Sequence, residues 1–98
     1  MENHKIDEII ALLEQYPLCA KIVAYFLENR HAMDTVRGIA EWWIQEDLDA
    51  TQVALHHLVE QGIVVVRFYI GTNFYSFTPD PKLQAKLEDL LRESGSRD

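Results

Sequence analysis

Leu55-His56-His57-Leu58-Val59-Glu60-Gln61-Gly62-Ile63-Val64-Val65-Val66-Arg67-Phe68-Tyr69-Ile70-Gly71-Thr72-Asn73-Phe74-Tyr75-Ser76-Phe77 is the stretch whose residue types decide the fold. Before Gly62, Ala54, Leu55 and Leu58 recur at helical spacing, and the glycine supplies a left-handed C-terminal stop. After it, Val64, Val65, Val66, Phe68, Tyr69 and Ile70 are β-formers, and Gly71-Thr72-Asn73 has turn chemistry. Phe74-Tyr75-Ser76-Phe77 then reads as a returning strand. A helix therefore runs straight into a β-hairpin.

Upstream, the periodicity is helical throughout. Ile6, Ile9, Ile10 and Leu13 form one stripe, with Asn3 as a cap and Tyr16-Pro17 as the stop. Pro17 suits the first turn of a second helix bearing Leu18, Ile22, Tyr25 and Phe26, which leaves at Asn29-Arg30-His31. Asp34 reads as the cap of a third helix with Val36, Ile39, Ala40 and Trp43 inward. Gln45-Glu46-Asp47 is a turn, and Asp49 with Gln52 has the spacing of a capping box for the fourth helix. Downstream, Asp80-Pro81 opens a last helix with Leu83, Leu87, Leu90 and Leu91 on one side. The expected class is α+β, mainly α: a three-helix core and a hairpin, with extra N-terminal and C-terminal helices. Residues 1–93 form one domain, and 94–98 read as a polar tail.

The chain has 98 residues, sixteen acids against nine bases and a net charge of −7. That length holds one core. The charge opposes broad binding to nucleic acid or to an anionic membrane. One cysteine, Cys19, excludes an internal disulfide and a cysteine-rich zinc site, so a reducing, cytoplasmic setting is expected. The N-terminus lacks a secretory pattern, and Ile63–Val66 falls far short of the roughly 20 apolar residues of a membrane span.

From Ile22 to Thr78 the order of elements resembles the winged helix-turn-helix superfamily, in the style of ArsR-like and MarR-like small bacterial regulators. The residues that carry this are Ile39-Ala40, the run Leu55 to Val64, and Tyr75-Ser76-Phe77-Thr78. Ala32-Met33-Asp34-Thr35 with Gly38-Ile39-Ala40-Glu41-Trp42-Trp43 also looks like a stretch of uncharacterised winged-helix-like proteins. The connection between the two motif helices reads one residue longer than the usual tight turn.

Two roles stay open. The resemblance implies DNA binding, with the fourth helix in the major groove and the hairpin beside it. Helical projection puts Gln52, Val53, His56 and Glu60 on the outer face. Gln52 would read adenine and His56 would reach a base or a phosphate, while Arg37, Arg67 and Lys21 would reach the phosphate backbone. The charge opposes this, because Asp34, Glu41, Glu46, Asp47, Asp49 and Glu60 face only Arg37 between residues 34 and 60. The alternative is an acidic protein-interaction module that binds no DNA. Trp42 beside Gly38 would form a notch with an aromatic wall, and Tyr69 and Phe74, with Phe68 and Tyr75, would make the hairpin aromatic. A buried Trp42 would remove that role.

The resemblance further implies a homodimer through the terminal helices. No phosphate-cradling glycine loop, nucleophile elbow or paired-His helix is present, so neither enzyme activity nor a cofactor is expected. Adjacent His56 and His57 point about 100° apart on a helix and cannot chelate one metal together. Cys19 reads as a small buried side chain, and His57 as a helix-surface residue.

Overall fold

The computed structural model describes the backbone of residues 2–95 and the side chains of residues 6–92. Helices α1 (Glu2–Gln15) and α2 (Pro17–Glu28) meet at Tyr16, whose extended backbone precedes Pro17. A short strand β1 (Met33–Asp34) follows. Then come α3 (Val36–Gly38), a π-helical turn (Ile39–Trp43) and α4 (Leu48–Glu60). Strands β2 (Val64–Tyr69) and β3 (Thr72–Phe77) form the hairpin, and α5 (Pro81–Gly95) ends the described chain. The sheet order is β1-β3-β2, antiparallel throughout. This is a winged helix of the α+β class, with α2, α3 and α4 as its three-helix core.

The structure corrects several local expectations. Strand β1 was not expected: two residues carry no readable alternation, and only pairing of Met33 and Asp34 with Ser76 and Tyr75 makes them a strand. Asp34 does not cap α3. Thr35 does, its hydroxyl accepting from Gly38 N at 3.1 Å, while Asp34 Oδ1 accepts from Thr35 N at 2.7 Å. Likewise Asp47, not Asp49, caps α4, with Oδ2 accepting from Ala50 N at 2.9 Å. A capping side chain must stand immediately before the first helical residue on extended backbone, and Thr35 and Asp47 hold those places. The box of Asp49 with Gln52 lies inside the first turns of α4. Asn3 falls within α1, and its side chain lies outside the described residues. The expected tail loses Ser94 and Gly95 to α5, and residues 96–98 lie outside the description.

The turn of the hairpin also shifts. Tyr69 pairs with Thr72, so the turn is Ile70-Gly71, at φ 48° and 77°, and Thr72 and Asn73 belong to β3. Two consecutive positive φ values suit the right-handed twist of a two-residue hairpin. Gly71 adopts them without cost, whereas a β-branched Ile70 is strained there.

The extra residue between the motif helices is taken up within the helix. Ile44 N donates to Ile39 O at 3.0 Å, the i to i+5 bond of a π turn. Glu46 N then closes on Ala40 O at 2.9 Å, with Gln45 at φ 54°.

The core joins all helices to the base of the wing. Ile9, Cys19, Ile22, Phe26, Ile39, Leu55, Leu58, Ile63 and Leu87 are fully buried. Phe26 stacks on Phe77 at 5.3 Å and meets Trp43 edge-on at 5.2 Å. Trp43 in turn stacks on Tyr25 at 4.3 Å. Gly62 stops α4 at φ 75°, as expected, and Thr78 N donates to Ile63 O at 2.9 Å to tie the hairpin base shut. At the other end of the chain, Asp80 Oδ1 accepts from Lys82 N at 3.0 Å at the start of α5. No single described helix is long and apolar enough to cross a membrane.

Candidate binding surface

Helix α4 positions the first set of candidate residues. Thr51, Ala54, Leu55 and Leu58 are buried on its inner face, which turns Gln52, Val53, His56 and Glu60 outward into solvent. The burial of Thr51 is satisfied locally, since its hydroxyl donates to Asp47 O at 2.7 Å.

The acids around this face are largely engaged. Arg37 pairs with Glu41 at 2.9 Å, and Lys21 reaches from α2 to Glu46 at 2.6 Å. Asp47 is held by its cap bond, and Asp34 by the Thr35 amide. Glu60 lies 3.4 Å from His56 and 3.9 Å from His57. Of the six acids, only Asp49 has no partner among the described residues. Of these contacts, Lys21 is the one that adds a positive charge to the bare count; the cap bonds satisfy Asp34 and Asp47 without removing their charge. Both pairs are solvent-exposed, so Arg37 and Lys21 sit beside carboxylates without being locked to them. Arg67 on β2 has no ion-pair partner among the described residues.

The second set divides. Trp42 is 79 % exposed, so α1 and α5 do not cover it. Its neighbour Trp43 is half-buried in the Tyr25–Phe26 stack, and the two rings point apart because consecutive helical positions diverge. Gly38 forms no notch. It is buried, and a Cβ there would overlap the Asp34 carboxylate, so the glycine is a packing residue that lets β1 approach α3. Tyr69 is 65 % exposed, while Phe74 is half-buried opposite Arg67.

Sequence reasoning missed Ile70 at the tip, which is 82 % exposed. Phe68, named with the hairpin aromatics, is 73 % exposed, and Met33 is also in solvent at the far edge of the sheet. The signal was present as a two-residue gap between two six-residue β runs. It was hidden because isoleucine reads as a strand residue rather than a turn residue.

Other candidates give no reactive chemistry. Burial pushes the Cys19 thiol up to about 11, and its Sγ donates to Ala54 O at 3.6 Å, so it is a core side chain. His57 is not a simple surface residue, since it stacks on Tyr16 at 4.8 Å. A cavity of about 350 Å³ is lined by Arg30, His31, Ser76, Thr78 and Gln84, among others. Arg30 is already committed there to Glu88, Gln84 and Leu27 O. Among the described residues, no three His, Cys, Asp or Glu side chains gather as a metal site.

Set beside solved structures, the chain is similar to HlyU from Vibrio cholerae N16961. The TM-score is 0.56 over 94 % of this chain and 96 % of that one. The fold is shared. Sequence identity is 19 %, so the likeness to HlyU speaks for architecture alone. It takes in the terminal helices as well as the three-helix core and the wing. No family model and no curated protein matches the chain.

Proposed function

We propose that this chain is a non-enzymatic, transcriptional-regulator-type winged-helix protein that binds duplex DNA, with α4 entering the major groove and the wing lying alongside. The observation that carries the reading is the outer face of α4. Gln52, Val53 and His56 stand together in solvent while five of the six nearby acids are engaged by caps, cations or histidines. Gln52 would read an adenine edge, and Arg67 would contact a phosphate from the wing. Support for the winged-helix architecture that this role needs comes from the likeness to HlyU over nearly the full length of both chains.

The half-buried residues Ile6, Ile10 and Leu13 of α1, with Leu83, Leu90 and Leu91 of α5, would pair two copies into a homodimer. A reducing, cytoplasmic setting suits the single buried thiol.

The test is fluorescence anisotropy of pooled duplex DNA at low salt. We expect saturable binding with a shallow salt slope, because few cations face the DNA. Gln52→Ala should relax sequence preference, and Arg67→Ala should reduce the salt slope by about 1. No binding at low salt would remove the DNA reading.

The exposure of Trp42 favours a second reading, in which the same domain docks a protein through Trp42 and Tyr69. Tryptophan and tyrosine are enriched where interfaces concentrate their energy. In that case Trp42→Ala keeps the melting temperature and abolishes binding to the partner, while duplex DNA has no effect on it.

A further inference from the structure

Strand β2 is the longer of the two outer strands of the sheet, and half of its backbone hydrogen-bonding groups have no neighbouring strand. Which half follows from the register. Tyr69 and Thr72 flank a two-residue turn and so form a hydrogen-bonded pair, and Ile63 accepts from Thr78 N at the other end. Val65, Arg67 and Tyr69 therefore bond to β3, while the N–H and C=O of Val66 and Phe68 point away from the sheet. The usual protections of an open edge are missing. There is no proline or lysine in β2, and its pairing with β3 is continuous from Val64 to Tyr69 without a bulge. Apart from Arg67, its exposed side chains are apolar or aromatic: Val66, Phe68, Tyr69 and the adjoining Ile70.

The charge distribution says what can approach. All sixteen acids lie outside residues 61–79, and Arg67 is the one charged side chain within that span. The rest of the chain carries the whole acidic excess. The wing is a surface where two copies can touch without adding to that repulsion. Val66, Phe68, Tyr69 and Ile70 leave on the order of 500 Å² per copy in solvent. Full burial of these side chains in two copies would reach about 1,000 Å², the lower bound of a specific interface.

We propose that the open edge of β2 is a self-association surface, at which β2 of a second copy adds antiparallel across a two-fold axis to give a continuous six-stranded sheet. The sheet faces stay aligned only when residues of the same parity oppose one another. An axis at Val66 or Phe68 meets this condition and keeps Arg67 away from its own mate. This association is separate from any pairing of α1 and α5, and it does not depend on DNA binding.

The test combines sedimentation of the full chain with amide hydrogen exchange across a range of concentrations. The mass should rise with concentration. The Val66 and Phe68 amides should slow at least tenfold as it does, while Val65, Arg67 and Tyr69 stay protected throughout. Val66→Pro removes an edge donor without touching the β3 ladder, and Phe68→Lys places a charge on the edge. Each should lower the assembly by one doubling with the helical circular dichroism unchanged. Should Val66→Pro fail to fold, Phe68→Lys and the wild-type exchange rates decide the matter. The proposal is overturned if mass and edge exchange are independent of concentration. It is equally overturned if mass rises while Val66 and Phe68 exchange at a constant rate, which would place the association elsewhere.

Discussion

The helical body and the wing solve the same problem in opposite ways. In the body, most apolar side chains are buried and most of the described cations are matched: Arg37 with Glu41, Lys21 with Glu46, Arg30 and Arg92 with Glu88. In the wing, from Val65 to Ser76, apolar side chains stand in solvent, acids are absent, the β2 edge is open and the tip residue is strained. The wing keeps its apolar surface and its backbone donors unspent, whereas the body leaves chiefly the outer face of α4 and Trp42 in solvent.

The hinge between the two regions is Phe26, sandwiched between Phe77 of β3 and Trp43. Phe26→Ala should cost about 3–5 kcal/mol in urea unfolding. It should also loosen the base of the wing, seen as faster exchange at Phe77. A loss under 1 kcal/mol would mean that body and wing are not coupled through this stack.

The adjacent tryptophans sharpen the comparison. Trp43→Ala should destabilise by about 2–4 kcal/mol, and Trp42→Ala by no more than about 0.5 kcal/mol. Iodide should quench the Trp42 emission strongly in a Trp43→Phe background. Equal stability losses would contradict the division between matched body and unmatched surface.

The buried thiol tests the body through pH. Cys19 is raised from 9.0 to about 11, so the unfolded chain releases its proton first as pH climbs. The folded state then binds more protons than the unfolded one, and stability falls between these two values, by roughly 2 kcal/mol. In Cys19→Ala this part of the decline should vanish, and the native thiol should resist alkylation at pH 8.

The smallest effect lies at the wing tip. Ile70→Asn relieves the positive φ of a β-branched residue and should stabilise the hairpin by about 1 kcal/mol. The same change lowers the apolar exposure, so gained stability with weakened association would separate strain from stickiness. A destabilised Ile70→Asn would show that the isoleucine packs on something after all.

Much of this fold was legible along the chain. The stripes on α1 to α5 have the spacing of their burial, Gly62 stops α4 and Asp80 binds the start of α5, because these are local matters of period and φ. The caps at Thr35 and Asp47 slipped by one or two residues, since neighbouring Asp and Thr side chains compete for the same amides. Strand β1 and the closure of Gly38 by Asp34 depend on residues brought together from different elements, and short-range pattern does not report them. For the candidate surface, helical projection placed Gln52, Val53 and His56 in solvent, while the pairing of Lys21 with Glu46 joins positions 25 apart.

The sequence by itself determined the α+β class, the order of helices and hairpin, the acidic charge and the acid-free wing, because periodicity and composition are properties of the chain. Only the tertiary structure decided that Trp42 is bare and Gly38 filled, which acids are neutralised, that the turn is Ile70-Gly71, and that β2 is the open edge. Those depend on which surfaces remain after distant elements pack, and packing is resolved by three-dimensional contact rather than by order along the chain.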